Sequence, residues 1–286
     1  MRWRGRQQSS HIEDRRGLQV SRKAGIGGVG GIVLGLLALY FTKDPTLLLQ
    51  SLTNDGGSEV EPSSGPYQES PAEAADRELV SVTLADTEDV WGQLFAQAGR
   101  TYEKPTLVLF SGVVQSACGT AEAAVGPFYC PGDHQVYIDL SFYDELSQRF
   151  GAPGDFAKAY VVAHEVGHHV QNLLGTSVQV EQARQQGETS GADSASVRLE
   201  LQADCYAGVW AYHTNAATQF LESGDIEAGL NAASAIGDDK LQMQSRGYVS
   251  PDSFTHGASA QRVRWFKRGI ESGDVKQCDT FSARSL

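Results

Sequence analysis

From about residue 78 onward, apolar and polar positions follow the periods of regular secondary structure. Val90, Leu94 and Phe95, with Trp91 beside them, recur at helical spacing and predict an amphipathic first helix. Thr106–Phe110 (TLVLF) is a short continuous apolar run and predicts a buried strand. Gln135–Asp139 (QVYID) alternates and predicts another, entered through the turn Pro131-Gly132-Asp133. Phe142–Phe150 predicts a short helix, stopped by Gly151-Ala152-Pro153-Gly154. Residues 155–173 predict a long helix closed by Gly175, residues 175–192 a polar loop, and residues 193–214 a second long helix. Further helices are expected near 225–243 and 258–271. Many helices, few strands and no regular strand–helix alternation predict an α+β fold, mainly helical with a small sheet.

The first 77 residues have a different pattern. Residues 24–41, AGIGGVGGIVLGLLALYF, carry no charge and as a helix would span about 27 Å, close to the hydrocarbon core of a bilayer. Residues 1–23 hold Arg2, Arg4, Arg6, Arg15, Arg16, Arg22 and Lys23 against Glu13 and Asp14. This basic flank predicts a cytoplasmic tail followed by a transmembrane helix at 24–41, with the remainder across the membrane. FTKDP after the run offers no small-x-small cleavage site, so an uncleaved anchor is expected. Residues 42–77 are rich in Ser, Gly, Pro, Glu and Asp and predict a flexible linker, which leaves 78–286 as the folded domain. The resulting expectation is a single-pass protein of a bacterial inner membrane, its domain periplasmic or extracellular. Gly25-x-Gly27-x-x-Gly30 matches a dinucleotide fingerprint only formally, since no strand precedes it. Gly27, Gly31 and Gly35 would share one helix face, as in a homodimer seam, although glycine is common in such helices anyway.

The chain has 286 residues and a net charge of −12. With the basic residues concentrated at the start, the body is acidic, which excludes nucleic acid as a partner. Four cysteines allow three pairings. Cys118 and Cys130 bracket a Gly/Pro-bearing turn and are expected to staple it; Cys205 and Cys278 would then tie the second long helix to the C-terminal tail. No C-x-x-C pair exists, so a cysteine zinc site is disfavoured.

His164-Glu165-Val166-Gly167-His168 carries the chemistry. Residues four apart differ by 400° on a helix, so both imidazoles project from nearly one face and can reach a single metal ion. Glu165 lies 100° round from His164, on the flank of that face, where a carboxylate can take a proton from a metal-bound water. Catalytic zinc takes three protein ligands. Glu200 and Asp204, four apart on the second long helix, offer one ligand and one acceptor for the distal nitrogen of a ligand histidine. His169 is read as packing or as support for the ligands. His256, Tyr206, Tyr212 and Tyr248 are each candidates for the donor that an oxyanion needs, with His256 alternatively a structural residue at a helix start.

These residues stand in a longer pattern: Ser116-Ala117-Cys118-Gly119, Gly126-Pro127-Phe128-Tyr129-Cys130-Pro131, Val136–Asp139, HEVGHHVQ at 164–171, ELQADCYAGVW at 200–210 and THGASAQRVRWF at 255–266. Over most of residues 78–278 the chain resembles the bacterial neutral zinc metallopeptidase family of single-pass membrane proteins. The resemblance implies a zincin-like, glutamate-liganded (gluzincin-like) peptidase with Zn2+ held by His164, His168 and Glu200, and Glu165 as base. It also places His256 and Arg262 within a family motif. The expected activity is hydrolysis of peptide bonds in a peptide or protein substrate, as an endopeptidase. The rival class is a membrane-tethered zinc-binding or scaffold protein with the same fold and no catalysis. The intact Glu165 favours the enzyme.

Overall fold

A computed structural model describes residues 1–18, 67–185, 187 and 190–286. Within it, residues 1–18 and 68–286 form one folded unit. The expected membrane helix at 24–41, the glycine seam at 27, 31 and 35, and most of the linker lie outside the described residues. Among the described residues, no helix is long and apolar enough to cross a membrane.

The strands and helices predicted from the pattern are present, with additions. Helix α1 (Pro71–Gln97) begins inside the expected linker. Ser70 accepts from the Glu73 amide while the Glu73 carboxylate accepts from the Ser70 amide, a reciprocal cap with Pro71 in the first turn. Strand β1 (Ile12–Asp14) belongs to the segment expected to be a tail. It pairs in parallel with β2 (Thr106–Phe110), which pairs in parallel with β6 (Gln135–Asp139); β5 (Phe128–Cys130) closes that edge antiparallel to β6. β3 (Val113–Ser116) and β4 (Gly119–Glu122) form a separate hairpin. Alternation along β2 and β6 divides their side chains between two clusters. Leu107, Leu109, Val136 and Ile138 face the helices, whereas Val108, Phe110 and Tyr137 pack with Val114 of β3. The architecture is α+β, as the pattern predicts.

The remaining helices are α2 (Phe142–Gln148), α3 (Asp155–Leu174), α4 (Thr176–Gln185), α5 (Ala195–Thr218), α6 (Asp225–Ala235), α7 (Asp238–Arg246) and α8 (Ser259–Ser272). Two expectations need correction. The polar loop over 175–192 contains α4, because Val180 finds a fully buried position that outweighs its polar neighbours. The helix expected over 225–243 is two, broken at Gly237, whose backbone is extended and where a Cβ would lie 2.5 Å from the Ser259 amide of α8.

α3 and α5 cross at the centre, with α1, α6 and α8 packed around them. α5 and α8 meet at backbone contact. A Cβ on Gly208 would lie 2.3 Å from the Phe266 carbonyl oxygen, and one on Gly269 2.0 Å from that of Cys205. The disulfides pair as the spacing predicts. Cys118–Cys130 ties the β3–β4 turn to the end of β5, and Cys205–Cys278 ties α5 to the turn Val275–Cys278, closing 73 residues. Since overpacking at a close helix crossing costs about 1–3 kcal/mol, Gly208→Ala is expected to lower the unfolding free energy by that amount in a denaturant titration. Gly99→Ala, where no atom lies within 4 Å but φ is +69°, tests backbone strain alone and should cost less.

Candidate metal centre

The site is made where α3 crosses α5. His164 and His168 lie one turn apart with ring centroids 4.8 Å from each other. The fourth residue of the motif, Gly167, permits the crossing: a Cβ there would stand 3.1 Å from both the Cα and the carbonyl oxygen of Ala203. That approach brings Glu200 of α5 between the two rings. Its Oε2 lies 3.2 Å from His164 Nε2 and 3.5 Å from His168 Nε2, and all three ligand atoms lie within 4.8 Å of one another. Two donors bound tetrahedrally to zinc at about 2.0–2.1 Å stand roughly 3.3–3.4 Å apart, so the residues fit the ion.

Each imidazole is held from behind. His164 Nδ1 is 2.9 Å from Asp204 Oδ1, and His168 Nδ1 is 2.9 Å from Gln171 Oε1. With Nδ1–H donated to these acceptors, both Nε2 atoms are directed to the side of the Glu200 carboxylate, where with a metal bound they would present their lone pairs to the ion. Gln171 is fixed in turn by donating to the Leu199 carbonyl of α5 at 2.7 Å. Asp204 is the expected acceptor; Gln171 was not anticipated, although its place three residues after His168 puts it on the same helical face.

Asp204 is fully buried, and its charge has a partner. Arg262 of α8 donates through Nε to Oδ2 at 2.8 Å and through Nη2 to Oδ1 at 2.9 Å, and the Tyr160 hydroxyl also donates to Oδ1. Burial pushes the Asp204 carboxyl up, but the Arg262 and His164 charges outweigh it and hold the group at about 2. Burial likewise opposes the Arg262 charge, and the Asp204 carboxylate overcomes it, keeping the guanidinium protonated. The sequence marked Arg262 only by its motif; the structure gives it this task.

Glu165 is buried and, with His164, His168, Glu200 and His256, lines a cleft of about 1240 Å³. His256 reaches the cleft from the loop before α8. Asp238 at the start of α7 holds that loop, its Oδ2 accepting from the amides of Thr255, His256 and Gly257 at 2.7, 2.7 and 3.0 Å. Its Oδ1 lies 3.3 Å from His256 Nδ1, and this hydrogen bond, with the Glu200 charge nearby, raises the imidazole pKa. The three tyrosines weighed with His256 do not line the cleft. Tyr206 packs edge-on against Trp91, Tyr212 stands against His213, and Tyr248 is exposed. His169 is a packing residue: Nε2 donates to the Glu103 carbonyl at 2.7 Å, Nδ1 is 3.0 Å from the Tyr129 hydroxyl, and burial lowers its pKa to about 4.

Two imidazoles and a carboxylate on crossing helices, each imidazole oriented by its own acceptor, give this α+β domain a group that could hold a metal ion. The profile of the family described as "Putative neutral zinc metallopeptidase" matches residues 1–281, and the chain belongs to that family. The family implies Zn2+ as the ion for this group and suggests a hydrolase. The chain is 48% identical over 290 aligned residues to "Uncharacterized protein YpfJ" of Escherichia coli K12, covering 98% of this chain and 99% of that one. It is 49% identical over 195 residues to "Uncharacterized protein Rv2575" of Mycobacterium tuberculosis H37Rv, covering 65% of each. No solved structure matches the chain.

Two outcomes follow from the support of His164. Asp204→Asn is expected to weaken zinc binding about 10–100-fold, measured by competition with a chromophoric chelator. In the metal-free protein, the folded-state value near 2 lies below the usual 3.8. The stability from Asp204 is therefore present above pH ~4 and lost as pH falls toward ~2, about 2 kcal/mol in all. Asp204→Asn should lack that part of the slope of unfolding free energy against pH.

Proposed function

We propose that the protein is a zinc-dependent endopeptidase in which Glu165 is the general base. The observation that carries this reading is the position of Glu165: adjacent to the ligand His164, buried, and facing the cleft that the three metal-binding side chains also line. A site that only stored or sensed zinc would have no use for an additional carboxylate beside the water position.

Bound zinc supplies Lewis-acid polarisation of a water and of the scissile carbonyl. Glu165 takes the proton from the attacking water and delivers it to the departing amine nitrogen. His256, positioned by Asp238 and with its imidazole pKa raised by that hydrogen bond, donates in its protonated form to the carbonyl oxygen as it gains charge. Arg262 and Asp204 hold His164 in one tautomer throughout, so the donor set keeps its orientation.

The cleft walls support a polypeptide substrate with bulky apolar side chains. Val125, Phe128, Phe142, Phe150, Val178 and Leu241 line it. β5, at the edge of the four-stranded sheet, contributes Phe128 and Tyr129 to the same wall, which suits an extended peptide laid alongside a strand.

Digestion of a peptide library by wild type, Glu165→Gln and chelator-treated protein tests the reading. Glu165→Gln should reduce kcat/KM about 10²–10⁴-fold while retaining one zinc per chain. Wild type that cuts no faster than this variant, with equal zinc content, would establish the zinc-binding or scaffold class instead. His256→Gln is expected to lower kcat about 10²–10³-fold with far less effect on KM, as for a group that acts in the transition state.

A further inference from the structure

The first 18 residues are built into the same folded unit as the metal centre. β1 pairs with β2 in register Ile12–Leu107, Glu13–Val108 and Asp14–Leu109, and the Leu107 amide donates to the His11 carbonyl at 2.8 Å while the Arg15 amide donates to that of Leu109 at 2.7 Å. Ahead of the strand, Trp3 is buried in a cluster with Leu79 and Val82 of α1, and its indole N–H donates to Asp155, the first residue of the metal-binding helix, at 2.7 Å.

Arg6, His11 and Arg16 of this segment have charged partners in the body. Arg6 pairs with Asp86 of α1 at 2.7 Å, and Ser9 and His11 both reach Glu88, also of α1. Arg16, its side chain 2% exposed, bridges Asp14 at 2.6 Å and Glu69 at 2.7 Å, and Arg77 joins it on Glu69. Arg16 and Glu69, near the facing ends of the two described segments, therefore meet in one ion-paired cluster. α1 shows what the segment supplies. Residues 79–88 are buried on every side, because Val80 and Leu84 face the main core and residues 1–18 cover the opposite face.

A single pass through a bilayer between residues 18 and 68 would place these two parts on opposite sides and abolish every one of those contacts. A return pass would need a second run of about 20 apolar residues, and residues 42–66 contain no such run. We infer that residues 1–18 and the metal centre lie in one compartment, so that the apolar run 24–41 does not carry the chain across a bilayer, and any attachment it makes to lipid is from one side. On this reading Arg6 and Arg16 are ion-pair partners for carboxylates of the body, and they do not act as a cytoplasmic retention signal.

Impermeant-maleimide labelling of the full chain in intact bacterial cells tests the inference. All four native cysteines are in disulfides, so Gln8→Cys and Ser272→Cys, both at exposed positions, each provide the sole free thiol. The two variants are expected to label alike, either both before permeabilisation or both only after it. Labelling of one in intact cells and of the other only after permeabilisation overturns the inference. Hydrogen exchange on the purified full chain tests the docking without any substitution. The Arg15 amide should be protected to a similar degree as the Leu107 amide, and exchange of Arg15 at the rate of a free coil overturns it.

Discussion

The metal centre depends on how closely two helices can cross. Ligands from one helix can supply two imidazoles one turn apart, but a carboxylate from another helix reaches between them only if the backbones nearly touch. Gly167 sits at that contact, against Ala203, one residue from His168 on one helix and three from Glu200 on the other. The opposite face of α5 repeats the device: Gly208 and Gly269 let α8 approach to backbone contact, which brings Arg262 against Asp204. Three close-packed helices thus fix ligand, acceptor and compensating charge, and each glycine is required for its lack of a side chain more than for any freedom of its backbone.

That packing creates an electrostatic problem, which the same residues solve. Glu200, Asp204 and His164 are brought together in a largely water-free setting, where an unpaired charge costs several kcal/mol. Arg262 is the counter-charge available to the inner carboxylate, and it binds both oxygens in the planar geometry that a lysine could not reproduce. Ionised Asp204 can only accept, so His164 keeps a proton on Nδ1 and directs Nε2 toward the metal position. The ligand geometry is therefore enforced from the third helix, through two intervening side chains, before any metal arrives.

Much of the site was legible in the sequence because it is local. The four-residue spacings of His164 with His168 and of Glu200 with Asp204 each define a helical face, and both faces converge as that spacing requires. What the sequence hid was long-range or was read too coarsely. Arg262 is 58 residues from Asp204, and nothing in its own neighbourhood signals a buried partner. The start of α1 was readable, since Ser70-Pro71-Ala72-Glu73 is a capping box, but a surrounding stretch rich in Ser, Pro and Glu resembles a linker in composition. Gly237 itself is a local breaker, but the approach of Ser259 that leaves no room for a side chain there comes from a residue no local pattern reveals.

The N-terminal segment shows the same limit in sharper form. An apolar run with a basic flank has two physical explanations: the flank can be held back at a membrane surface, or it can neutralise acidic groups elsewhere in the fold. Sequence order favours the first, because the run and the flank are adjacent. The carboxylates that favour the second, Glu69, Asp86 and Glu88, lie more than fifty residues away: Glu69 just ahead of α1, and Asp86 and Glu88 in its stretch 79–88, whose burial on all sides makes little sense alone. A helix with polar residues on both flanks is ordinarily half exposed. Finding Ser81, Asp86 and Glu88 buried implies that something polar covers them, and Ser9, Arg6 and His11 are what does so. Complementarity of this kind, donor against acceptor along a whole helix face, is the signature of a segment that belongs to the domain.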